Sequence, residues 1–63
     1  MPLTRGELRV LELAADGAAV SEIARKLDLA VGTVRNSMAA AVRKTVARSR
    51  VDAIRISRKE GWI

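Results

Sequence analysis

No position in this 63-residue chain is a cysteine or a histidine, and that absence constrains the fold more than any residue present. A chain this short buries only roughly 60% of the surface its unfolded form exposes, so many small domains lean on disulfides or a structural metal. Without cysteine or histidine there is no disulfide framework and no usual zinc ligand set. No cofactor or metal is therefore expected. Packing of apolar side chains must carry the fold, and their spacing is the primary signal.

That spacing is helical throughout. Thr4 followed by Glu7 forms a capping box, with Leu3 and Leu8 in staple positions around it. Leu8, Val10, Leu11, Ala14 and Ala15 continue at helical intervals until Asp16-Gly17, where glycine can take the left-handed conformation that stops a helix. Ile23, Ala24 and Leu27 mark a second, shorter helix, and Leu29 resumes the apolar pattern after a break. Val34, Met38, Ala41, Val42 and Thr45 define a third. Ser49 with Asp52 opens a fourth, which ends near Glu60-Gly61. The prediction is an all-α fold of four short helices over about 5–15, 20–27, 31–46 and 50–60, forming one domain over 1–63 with no strand, repeat or internal linker.

Residues 20–39 read VSEIARKLDLAVGTVRNSMA, a short helix, a tight turn and a longer helix. Ala24 is small enough for two crossing helices to approach, Ile23 and Leu27 face inward, and Asp28 falls where the turn needs a residue tolerant of left-handed φ. Val34 packs the second helix on the first. This is helix-turn-helix spacing, in which the second helix enters the major groove of DNA. Its outward residues are Val31, Gly32, Thr33, Arg35, Asn36 and Ala39. Arginine can bind guanine O6 and N7 with two hydrogen bonds, and asparagine can do the same with adenine N6 and N7. Arg35, Asn36 and Ala39 are accordingly the candidate base-contacting residues. Gly32 and Thr33 lie in the first turn, where free N–H groups suit a phosphate. Arg43, Lys44, Arg48 and Arg50 follow as further candidate backbone contacts.

Charge supports that reading. Residues 1–34 carry a net −1, from four basic and five acidic side chains, whereas residues 35–63 carry a net +6, from eight basic and two acidic ones. The second half is an electrostatic footprint for a polyanion. Phe and Tyr are absent and Trp62 is the single aromatic residue, so the stacking platforms that grip single strands are missing and a duplex is the better partner. No apolar run approaches a membrane span and no leader pattern appears, which makes a cytoplasmic location the default and leaves no membrane partner. An enzyme is excluded by the lack of an assembled nucleophile, base or metal set.

LTRGELRVLELAADG, EIARKL, GTVRNSMAAAVRKT and ARSRVDAIRI with the terminal GWI together resemble the GerE-type or LuxR-type output domain, above all that of NarL-type response regulators. The resemblance covers nearly the whole chain. It implies that Arg35, Asn36 and Ala39 reach bases, that Thr33 and Lys44 contact backbone, and that the fourth helix forms a dimer interface. It also implies two-component control through a receiver domain outside this sequence, with RNA polymerase a further partner. Val51, Ile54 and Ile56 do not fit one stripe, so an apolar side chain should remain free there, and a weak homodimer is expected through Val51, Ile54, Arg55 and Arg58. The chain departs from the family at Ala19 and Ala30, where Ser or Thr usually caps a helix, leaving Ser21 and Thr33 as substitutes. It departs again at Gly6 and Ser37. The alternative readings are a promoter-binding domain like region four of a sigma factor, or a basic protein-interaction module.

Overall fold

The computed structural model describes every residue from Met1 to Ile63. It contains four helices and no strand: α1 (Arg5–Ala15), α2 (Val20–Leu27), α3 (Val31–Lys44) and α4 (Arg50–Lys59). α1 and α2 coincide with the expected spans. α3 stops two residues short of the predicted 46, because the Thr45 hydroxyl turns back to donate to the Ala41 carbonyl at 2.8 Å and Val46 adopts a left-handed φ of 55°. α4 ends one residue early, within the ordinary fraying of a helix end.

α3 is the longest helix, at 14 residues, and packs against all three others, while α2 and α4 do not touch. Val10 and Leu11 from α1, Ile23 and Ala24 from α2, Val34, Met38 and Ala41 from α3, and Ala53 from α4 form one core, joined by Leu3 and Ala18. Burying a side chain such as Leu11 or Ile23 contributes about 1.5–3 kcal/mol. α4 turns inward a surface not anticipated from its isoleucines: Ala53 and Ser57, one turn apart, are both fully buried. Their small size admits a close approach, and the Ser57 hydroxyl is satisfied by donating to the Ala53 carbonyl at 2.7 Å. Ile54 and Ile56 are only half-buried, and Val51 is 73% exposed.

All four helices end in the same way. Residues Gly17, Asp28, Val46 and Gly61 each adopt a left-handed φ. In each case the next N–H donates five residues back: Ala18 to Leu13, Leu29 to Ala24, Ala47 to Val42 and Trp62 to Ser57. This is the Schellman arrangement, which satisfies carbonyls that a helix end otherwise leaves free. At Gly61 it also turns Trp62 and Ile63 back onto the core.

The helix starts differ. Thr4 Oγ1 accepts from the Glu7 N–H, and Glu7 returns a carboxylate oxygen to the Thr4 N–H at 2.9 Å, completing the box expected for α1. Ser49 Oγ accepts from the Asp52 N–H, but Asp52 reaches back to the N–H of Arg48 and not to that of Ser49. α4 therefore has a cap but not a reciprocal box. Ala19 and Ala30 provide no side-chain cap, and neither Ser21 nor Thr33 replaces them.

Candidate nucleic-acid interface

The helix-turn-helix is formed by α2, the turn Asp28–Ala30 and α3. Asp28, at φ 56° and ψ 47°, turns the chain between the helices, as its place in the sequence requires. Val34, Met38 and Ala41 are buried, which fixes the rotation of α3 about its own axis. The opposite side then presents Arg35 and Ala39 one turn apart, with Gly32, Asn36 and Arg43 alongside, all exposed. No carboxylate occurs anywhere on α3. Arg35 and Arg43 have no ion-pair partner, so their guanidinium groups are free for a ligand.

The Ala30 side chain offers no acceptor, and the backbone N–H groups of Val31, Gly32 and Thr33 have no acceptor in the protein. The same holds for Val20, Ser21 and Glu22 behind Ala19. Both helices of the motif thus open with a set of free donors at the positive end of the helix dipole.

The remaining basic residues divide. Arg50 is exposed and unpaired, and the Arg48 side chain is 90% exposed with its Nε 3.8 Å from Asp52, a weak contact in water. Lys44 is committed: its Nζ donates to both Glu7 oxygens, at 2.9 and 3.0 Å. Burial raises the Glu7 pKa, but hydrogen bonds from the Thr4 N–H and from Lys44 outweigh it and hold the carboxyl below its ordinary value. Lys44 keeps one N–H for another acceptor. Sequence reasoning placed Glu7 in the capping box and missed this tie. Its position, one turn before Leu11, marks it as inward-facing, but no local pattern links residues 37 apart.

Val51, Ile54, Arg55 and Arg58 come together with Ala14 and Ala15 around one shallow depression between α1 and α4. Arg55 is held by Asp52 through Nε and Nη2, at 2.9 and 2.7 Å. The Arg48 N–H and Arg55 together hold the Asp52 carboxyl below its ordinary pKa. Arg58 Nη2 donates to the Ala15 carbonyl at 3.3 Å, supplying the cation that the last turn of α1 lacks. No cluster of acidic residues could hold a metal ion, and no helix is long and apolar enough to cross a membrane.

A sequence model of the family described as bacterial regulatory proteins, luxR family, matches residues 1–57. The response regulator RamR of Streptomyces coelicolor is 63% identical over 62 residues, covering 98% of this chain. The transcriptional regulatory protein DesR of Bacillus subtilis is 44% identical over 61 residues, covering 97%. An uncharacterized transcriptional regulatory protein of the same organism, YvfU, is 40% identical over 62 residues, covering 98%. The chain spans 31% of the length of each of these relatives.

Proposed function

The chain belongs to the luxR family of bacterial regulatory proteins, DNA-binding domains that act in transcription regulation, and from that premise we propose that α3 reads sequence in the major groove of a duplex. The observation that carries this reading is the exposed face of α3: unpaired Arg35 and Asn36 beside small Ala39 on a helix without an acid, locked in rotation by its buried side. Arg35 and Asn36 bind base edges, and Ala39 lets the helix seat close to them. The free N–H groups around Gly32 and Thr33, with Arg43, Arg48, Arg50 and the remaining donor of Lys44, hold phosphates.

Residues 1–63 act as one such domain, and two copies pair weakly through Val51, Ile54, Arg55 and Arg58, so that pairing strengthens on adjacent half-sites. The name of the relative RamR, a response regulator, supports control through a receiver domain. Contact with RNA polymerase belongs to the same proposal.

The test is titration against a duplex chosen from random sequences and against its scrambled counterpart, at several salt concentrations. Arg35→Ala is expected to cost about 1–3 kcal/mol on the preferred duplex and much less on the scrambled one. Arg43→Ala is expected to weaken both alike and to lower the log-log salt slope by about one unit per copy. Equal loss on both duplexes for Arg35→Ala would mean that α3 grips backbone alone. Lys44 is unsuited to this test, because removing it also strands Glu7.

A further inference from the structure

Three consecutive apolar residues, Leu29, Ala30 and Val31, are exposed at the turn and first residue of α3. Leu29 and Val31 are each 40% exposed, and neither joins the apolar side chains packed against the core. Local structure gives no reason for valine at 31. The first position of a helix favours proline or an acidic or capping residue, and valine is β-branched with modest helix propensity. The dipole and the free N–H groups need nothing apolar there.

Its neighbours supply the reason. Val31 lies one turn before Arg35 and is exposed like it, with no carboxylate on the helix. A duplex seated against Arg35 therefore lies against Val31 as well. The edges of the major groove offer one apolar group, the C5-methyl of thymine. Resting on the major-groove reading above, we infer that Val31 is a specificity-determining residue that packs on a thymine methyl next to the base pair bound by Arg35. Basic surroundings draw the polyanion in, and an uncharged, branched side chain at the tip of α3 selects the methyl.

The experiment replaces each thymine of the preferred duplex, one at a time, by deoxyuridine, which keeps every hydrogen-bonding group and removes only the methyl. At one position the wild-type chain is expected to lose about three- to fivefold in affinity. Val31→Ser is expected to bind the thymine duplex that much more weakly, and to bind the thymine and uracil duplexes equally. Val31→Ala, which shortens the side chain without adding a hydroxyl, should fall between them, and unchanged melting temperatures would keep folding out of the comparison. A thymine-over-uracil preference that survives in Val31→Ser overturns the inference, as does the absence of any position where the methyl matters. Neither result touches the major-groove reading, which fails separately if Arg35→Ala leaves discrimination between preferred and scrambled duplexes intact.

Discussion

The outer helices α1 and α4 and the motif helices α2 and α3 differ at their ends. α1 and α4 begin on Thr4 and Ser49, whose hydroxyls accept from the backbone, and stop on Gly17 and Gly61, which adopt left-handed φ without steric cost. α2 and α3 begin on Ala19 and Ala30, whose side chains accept nothing, and stop on Asp28 and Val46, which carry a Cβ into the left-handed region. Each motif helix therefore leaves one more first-turn donor free than an outer helix does, and the two non-glycine residues at positive φ both stand at the ends of motif helices. Each outer helix has one first-turn N–H satisfied by a side chain, Glu7 by Thr4 and Asp52 by Ser49, and neither motif helix has any. Departures from local preference of this kind are expected where a ligand binds, which is the place the major-groove proposal gives α2 and α3.

The largest expected effect would break the outer pair. Glu7→Gln can keep the bond from the Thr4 N–H but removes the charge that Lys44 binds, and with that ammonium partly exposed it is expected to cost about 1–2 kcal/mol in denaturant melts. Acid should act in the same way on the wild type. The Glu7 carboxyl titrates below its ordinary value of 4.5 in the folded chain, so its contribution is fully present above that pH and is lost as pH falls through the depressed folded value. Asp52, held down by the Arg48 N–H and Arg55, adds to the loss in the same direction. Glu7→Gln should flatten the acid limb of stability against pH. An unchanged acid limb would mean that the tie contributes nothing.

Next comes the strained stop of α3. Val46 is 88% exposed, so its side chain has no packing to lose, while its left-handed backbone costs a β-branched residue about 1–2 kcal/mol. Val46→Asn is expected to raise stability by about 1 kcal/mol, since asparagine tolerates this conformation. A lowered melting temperature would show that valine at this turn is supported in some other way. Smaller again are Ala19→Thr and Ala30→Ser, each expected to stabilise by about 0.5–1 kcal/mol by giving α2 and α3 the acceptor they lack. If both left the midpoint unchanged, the contrast between the helix pairs would be one of sequence and not of energy. Smallest is Gly6→Ala, the one flaw in the outer pair. A Cβ there meets nothing nearer than Thr4 Oγ1 at 4.0 Å, and the gain in α1 is expected to be about 0.5 kcal/mol.

What was legible in the sequence follows the range of the interactions. The Thr4 box, the Gly17 stop and the left-handed Asp28 are local: each depends on residues within one turn, and each stands where the spacing predicts. The buried side of α3 was legible for the same reason, from the period of Val34, Met38 and Ala41. The inner face of α4 was not, because hydrophobicity points to Val51, Ile54 and Ile56, whereas close packing against neighbouring helices selects small Ala53 and Ser57. Lys44 reads as a phosphate contact by its place after Arg43, and only the folded chain brings it to Glu7. The end of α3 at Lys44 was hidden because valine gives no sign of a left-handed turn.

The uniform helix endings have a kinetic consequence. By reversing the chain in a few residues, they leave connections of only 16–19, 28–30 and 45–49, so most neighbours in space are near neighbours along the chain. Such topologies have low contact order, and helical domains of this kind fold in microseconds to milliseconds. The Lys44–Glu7 tie is one of two side-chain hydrogen-bonded links that close long spans, 37 residues here and 43 between Arg58 and Ala15. The loop-closure entropy of such spans must be offset by helix packing, and a partly exposed ion pair at the edge of the α1–α3 contact is expected to form after the helices meet. Weakening it is therefore expected to accelerate unfolding more than it slows folding, so that the tie bears on how long a folded copy lasts more than on how quickly it forms, which folding and unfolding rates of Glu7→Gln would check.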